Sequence, residues 1–204
     1  MQRQEHWDVV YNTKNEQQVS WFEALPVVSL RMMESAGLTT DTCVVDVGGG
    51  DSRLVDQLAA RGLDCLAVLD VSGSALARAR TRLGSAASVP IWLETDVTGD
   101  WSLKPMDIWH DRAVFHFLMS VEDRHRYRSQ LLSTLKPGGF AIVATFALDG
   151  PDRCSGLSVQ RYSPETLSTE LGPNLRMIES VPHVHTTPWG RKQSFVYCRF
   201  QRLN

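Results

Sequence analysis

No run of 18 apolar residues occurs in this 204-residue sequence, so no segment is long enough to cross a bilayer as a helix. The opening residues, Met1-Gln2-Arg3-Gln4-Glu5-His6-Trp7-Asp8, lack the apolar core of a secretory signal, and a cytoplasmic location is expected. An excess of one charge is also missing. The 21 Lys and Arg against 23 Asp and Glu leave a formal net charge of −2, too weak a field to attract nucleic acid or an anionic membrane. The four cysteines show no CxxC spacing. Cys43, Cys65 and Cys198 fall in apolar stretches and are expected to be reduced core residues, whereas Cys154 lies in a polar Gly/Pro segment. Internal repeats and low-complexity linkers are absent, and no zinc pattern occurs, so no metal is expected.

What is present is an ordinary globular composition, 43% apolar and 22% charged, in a length that suits one α/β domain. Residues 1–40 form an N-terminal cap and residues 41–204 the core. In the cap, Val19, Phe22 and Leu25 have helical spacing; Pro26 then opens a second helix carrying Val27, Leu30 and Met33, stopped by Gly37. From Cys43 the pattern alternates. Strands are expected at Cys43–Val47, Cys65–Leu69, Ile91–Glu94, Met106–Trp109 and Phe140–Phe146. Helices fall between them, one starting at a Ser120/Asp123 cap, and Lys136-Pro137-Gly138-Gly139 turns into the fifth strand. Ser163-Pro164 opens a short further helix ended by Gly172. Leu175–Val181 and Ser194–Phe200 then read as strands joined without a helix, which implies an antiparallel last strand on a parallel sheet.

In a doubly wound sheet the ligand lies beyond the carboxyl ends of the strands. There the first strand closes in Asp46-Val47-Gly48-Gly49-Gly50-Asp51-Ser52, and Asp70 closes the second, 20 residues past Gly50, where a carboxylate can hold both hydroxyls of a ribose. A nicotinamide or flavin fingerprint needs a small third residue, and Arg53 stands there instead. A pyrophosphate cofactor is thus disfavoured. S-adenosylmethionine has none, and its ammonium needs an acid such as Asp46.

The motifs Val44-Val45-Asp46-Val47-Gly48-Gly49-Gly50, Val68-Leu69-Asp70-Val71-Ser72, Thr95-Asp96-Val97 and Leu135-Lys136-Pro137-Gly138-Gly139 resemble those of the class I S-adenosylmethionine-dependent methyltransferases. The resemblance implies a Rossmann-like, doubly wound α/β fold with a seven-stranded sheet, an antiparallel last strand and helices on both faces. It also implies a site with Gly48, Gly49 and Gly50 under the methionine part, Asp70 and Val71 at the ribose, and Asp96 with the Val97 backbone at the adenine. A narrower likeness, to the small elongation-factor and citrate-synthase lysine methyltransferases, rests on Trp7, Asp8, Tyr11, Trp21, Phe22 and Ser52. Trp7 and Tyr11, four apart, would share a helix face over the cofactor. This sequence departs from that family after strand four. There Asp111-Arg112-Ala113-Val114-Phe115-His116 replaces an Asp-Lys-Gly-Thr-x-Asp segment, which costs the site an acid that would receive a lysine ammonium.

For the acceptor side, Asp111, His116, His183 and His185 are the candidate catalytic residues, since a histidine can take the acceptor's proton, and Asp111 and Ser52 are also expected among the cofactor-binding residues. His183 and His185 are expected in the loop after strand six, where with Cys154 they would form a soft-ligand trio for a thiophilic substrate or metal. The Asn/Asp-Pro-Pro-aromatic motif of nucleic-acid amino-methylating enzymes is missing; Trp109-His110-Asp111-Arg112 stands in its place. The expected function is methyl transfer to a small molecule, with a protein lysine acceptor or cofactor binding without catalysis as alternatives.

Overall fold

The computed structural model describes residues 2–204. Its main sheet has seven strands: β1 (Val44–Val47), β2 (Leu66–Asp70), β3 (Ile91–Glu94), β4 (Met106–Arg112), β5 (Leu135–Phe146), β6 (Leu175–Thr186) and β7 (Lys192–Arg202). Their order is β3-β2-β1-β4-β5-β7-β6. All neighbours pair parallel except at β7, which runs antiparallel to both β5 and β6. The Rossmann-like sheet with its reversed last strand is as expected, and strand order switches between β1 and β4.

Among the described residues six α-helices accompany it: α1 (Gln2–Thr13), α2 (Val27–Ser35), α3 (Leu54–Ala60), α4 (Gly73–Leu83), α5 (Val121–Thr134) and α6 (Pro164–Leu171). Side chains alternate across each strand, so one strand feeds two cores. Val45, Val47, Trp109 and Val143 pack with Tyr127 and Leu131 of α5 and Leu167 of α6. Val44, Ile108 and Ile142 pack with Leu30 and Met33 of α2 and Leu54 of α3 on the other face. Every residue of β1 is buried, Asp46 included, as expected of a central parallel strand covered on both faces.

Several local expectations are corrected. Residues 19–25 are not helical; the first helix is α1, and Asn15 caps a single 3₁₀ turn at Glu16–Gln18 before the chain runs irregularly to Pro26. The Lys136–Gly139 turn lies inside β5 as an irregularity, with Leu135 opposite Met106 and Phe140 opposite Ile108. The expected loop 182–193 is mostly strand. β6 runs to Thr186 and β7 starts at Lys192, around a tight turn closed by the Thr187 N–H to the Arg191 carbonyl at 2.8 Å. Pro182 is tolerated because β6 is an edge strand. Cys43 and Cys65, expected as reduced, are disulfide-bonded: parallel pairing of Val44 with Leu66 sets their Cα atoms 4.6 Å apart. Cys154 and Cys198 are free and buried. Among the described residues, no helix is long and apolar enough to cross a membrane.

Candidate active site

Where strand order switches, the β1–α3 loop leaves no room for side chains. Gly48 (φ +65°) is so close to Val114 that an added Cβ would lie 2.0 Å from its Cγ2. At Gly50 (φ +41°) a Cβ would meet Asp70 Oδ2 at 2.7 Å and Tyr11 Oη at 3.0 Å. Both positions need the left-handed region that glycine enters freely. Behind the loop, Asp46 Oδ1 binds His110 Nδ1 at 2.7 Å, and His110 Nε2 reaches Ser29 Oγ at 2.9 Å. Asp46 Oδ2 is buried without a hydrogen-bond partner.

A cavity opens beside Gly48. The ends of the next two strands line it with Asp70, Val71, Asp96 and Val97. Asp70 is 6% exposed, and its Oδ1 accepts the Ser72 N–H at 2.8 Å. Burial pushes its pKa up to about 7, against the Ser72 bond and with help from the charges of Asp46 and Asp8. Asp96 keeps a lowered pKa despite partial burial, because Thr98 donates to it at 2.8 Å and the Arg3 guanidinium lies 3.0 Å away. A smaller hollow shares Tyr11, Trp21, Gly48 and Arg112 with the cavity and reaches Asp46, Gly49 and Ser52. Ser52 also accepts the Leu54 N–H at 3.1 Å, at the start of α3.

Helix α1 roofs the cavity. Trp7 and Tyr11 line it together, as their spacing implies, and Trp7 packs edge-on against Trp21 (5.6 Å) and Phe117 (5.2 Å). Asp8 fixes the helix by accepting the Ser72 hydroxyl at 2.6 Å.

The remaining wall joins Ser20, Trp21, Arg112, Phe117, Phe146, Cys154, Gln193 and Phe195. Of these, only Cys154 is expected from the sequence to face the acceptor. Arg112 Nε donates to Tyr197 Oη at 2.8 Å and Nη1 to the Trp21 carbonyl at 2.9 Å, while Nη2 lies 3.1 Å from Glu23. Burial raises the Cys154 thiol pKa, so the thiol stays protonated at neutral pH.

The four expected catalytic residues do not border this cavity. Strand β4 alternates, so Ile108 and His110 face α2 while Trp109 and Asp111 face α5. Asp111 is fully buried and accepts the Val114 N–H (2.9 Å), the Phe115 N–H (3.1 Å) and the Tyr127 hydroxyl (2.7 Å). It anchors the turn after β4 and does not border the cavity. His116, also fully buried, accepts the Phe146 N–H on Nδ1 at 3.3 Å. Burial, then the Arg112 charge, lowers its pKa to about 3, too weak for a base. His183 and His185 stand on β6 rather than in a loop. His185 Nε2 donates to the Ser20 carbonyl at 2.7 Å, and Glu23 Oε1 lies 3.3 Å from His185 Nδ1 and 3.9 Å from His183 Nε2. These donor atoms lie within 4.8 Å of one another, but Cys154 is not among them, so the expected trio does not form. Glu23 instead sits against Arg112, and the group latches residues 20–23 to the sheet.

A seven-stranded sheet with one reversed strand, a glycine cradle at its switch point and an acid closing β2 define a Rossmann-like methyltransferase fold. A family model described as a methyltransferase domain matches residues 45–141. An uncharacterised methyltransferase of Mycobacterium tuberculosis (strain H37Rv) is 35% identical over 106 residues, 51% of this chain and 50% of that one. The chain therefore spans about half the length of the curated relatives it matches at that identity. EEF1A lysine methyltransferase 2 of Danio rerio is 26% identical over 159 residues, 69% of this chain and 67% of the relative. The crystal structure of N-methyltransferase NodS from Bradyrhizobium japonicum WM9, with S-adenosyl-L-homocysteine, shares the fold at a TM-score of 0.72 and 19% identity, covering 98% of this chain and 100% of NodS. Over residues 45–141 the chain matches the methyltransferase-domain family, and together with the shared fold these likenesses support a class I S-adenosylmethionine-dependent methyltransferase.

Proposed function

We propose that this protein binds S-adenosylmethionine along the glycine cradle and methylates a small, uncharged molecule held against the Phe146/Phe195 wall. The residues fit the cofactor. Side chains are excluded at Gly48 and Gly50, Asp70 faces the cradle, and Asp46 Oδ2 lacks a partner that an ammonium would supply. Asp70 would hold the ribose hydroxyls, Asp96 and the Val97 backbone the adenine, and Trp7 and Tyr11 would cover the cofactor. When bound, that group supplies an electrophilic methyl carbon on a sulfonium. The chain's own part is to position the acceptor and exclude water, which the α1 roof and aromatic wall do.

The observation that carries the choice of acceptor is the charge on the wall. Its ionisable groups are Arg112 and Cys154, with no carboxylate to receive or deprotonate a lysine ammonium. The Danio rerio relative favours the lysine reading, and the two separate in one measurement. After incubation of cell extract with methyl-labelled cofactor, label is expected in the small-molecule fraction; label in protein overturns the proposal. The cytoplasmic setting expected from the sequence belongs to this reading, and there the Cys43–Cys65 bridge would be an exception to the usual reduced state.

Asp70 also sets a pH dependence. With a ligand-free pKa of about 7, it is mostly protonated at lower pH, and ribose hydroxyls donate more strongly to the carboxylate than to the neutral acid. Affinity for S-adenosylhomocysteine is expected to rise about tenfold from about pH 6 to about pH 8. Calorimetry on the wild type and on Asp70→Asn checks this: the variant should be flat, and a flat wild type contradicts the role.

A further inference from the structure

Strand β7 presents Gln193, Phe195 and Tyr197 on one face, two residues apart. Gln193 and Phe195 border the cavity; Phe195 packs on Phe146 at 4.8 Å, and Arg112 lies over its ring at 5.1 Å. Gln193 is 6% exposed, and its Oε1 is buried with no hydrogen-bond partner. On the same wall two arms of Arg112 are bonded to Tyr197 and Trp21, its Nη2 has no hydrogen-bond partner and stands 3.1 Å from the Glu23 carboxylate, and Cys154 Sγ lies 4.0 Å from Ser20 Oγ. A buried carbonyl oxygen without a donor is costly, and a ligand that brings one removes the cost.

We propose that Gln193 is the acceptor-recognition residue, and that the acceptor is a flat, uncharged heteroaromatic ring bearing an N–H donor and a separate ring-nitrogen lone pair. This rests on the methyl-transfer reading above. Flatness follows from the rings of Trp21, Phe117, Phe146 and Phe195, which favour stacked or edge-on aromatic partners. Neutrality follows from the absence of a carboxylate on the wall. The lone pair follows from the absence of a base: His116 is held neutral away from the cavity and Cys154 stays a thiol, so the reacting atom must be nucleophilic without first losing a proton. Alkylation of the ring nitrogen forms one N–C bond and breaks the methyl–sulfur bond, whose electron pair stays on sulfur. The ring thereby gains positive charge and its N–H becomes a stronger donor to Gln193, so the contact tightens as the reaction proceeds. The N–H proton then passes to water.

The test uses a matched pair of probes, benzimidazole and 1-methylbenzimidazole, titrated into protein saturated with S-adenosylhomocysteine. The N-methyl probe buries more apolar surface, so without a hydrogen bond it should bind better. Wild type is expected to bind benzimidazole about three- to tenfold more tightly. In Gln193→Met the ratio should fall to one or invert, with S-adenosylhomocysteine affinity unchanged as evidence of an intact fold. A wild-type preference for the N-methyl probe, equal binding, binding of neither probe, or a preference that survives in Gln193→Met overturns the proposal. The wild-type ratio decides alone if the variant does not fold. Failure to bind S-adenosylhomocysteine would instead sink the methyl-transfer reading, so the two failures are distinguishable.

Discussion

Asp70→Ala is expected to weaken S-adenosylhomocysteine binding by about 1.5–3 kcal/mol, about 10- to 150-fold. The carboxylate closes β2 with one oxygen fixed by Ser72 at 2.8 Å, while the other stands 2.7 Å from the position a Gly50 Cβ would take. It is aimed into the space the loop keeps free, where two hydroxyl donors would complete it. The measurement belongs at about pH 8, because at neutrality a group with a pKa of about 7 is half protonated and part of the effect is hidden. Stability should not fall in parallel. A carboxyl whose folded pKa lies above its unfolded value stabilises the fold fully below the unfolded pKa, and that contribution is lost as pH rises through about 7. Near pH 8 the ligand-free variant should therefore melt no earlier than wild type. Affinity lost at retained stability places Asp70 in the site, whereas unchanged affinity with an intact fold removes it.

The cofactor half of the site was legible because it is written locally. Gly48, Gly50, Asp70, Val71, Asp96 and Val97 follow directly on three strands, and a parallel sheet brings those strand ends together whatever the distant contacts are. Trp7 and Tyr11 could be paired for the same reason, by helical spacing alone. The acceptor wall is drawn from the α1–α2 connection, the end of β4, the end of β5, a short antiparallel hairpin pairing Arg153–Cys154 with Leu157–Ser158, and the start of β7. No window of sequence contains it.

Where the reading failed, parity and pairing decided. Asp111 and Arg112 are adjacent, but β4 continues to Arg112 rather than stopping at Trp109, so alternation turns the acid into the α5 core and leaves the arginine at the cavity. A slip of one residue exchanges a supposed catalytic acid for a wall cation. Pro182 suggested a break that an edge strand does not require, which misplaced His183 and His185. The Cys43–Cys65 bridge depends on the β1–β2 register, a long-range fact that spacing does not carry. The signal that could have exposed the wall was the alternation Gln193, Phe195, Tyr197, a polar residue at the end of an apolar strand face.

The parity argument has its own test in Asp111→Ala, expected to destabilise the fold by about 2–4 kcal/mol at neutral pH. Removal of the carboxylate leaves the N–H groups of Val114 and Phe115 without their acceptor, the latter in the buried core, and takes from the Tyr127 hydroxyl the acceptor it donates to. That hydroxyl keeps its other bond, accepting from Trp109 Nε1 at 2.9 Å, so the core is weakened rather than dismantled. Burial raises the Asp111 pKa to about 6, so its contribution is largest at low pH and is lost as pH rises through about 6. The gap between wild type and variant should accordingly narrow from about pH 4 to above about pH 6 in urea unfolding. Under conditions where the variant remains folded, its S-adenosylhomocysteine affinity should equal that of wild type, because Asp111 does not border the cavity. A stable variant with cofactor affinity abolished would return Asp111 to the site and place the alternation of β4 one residue out.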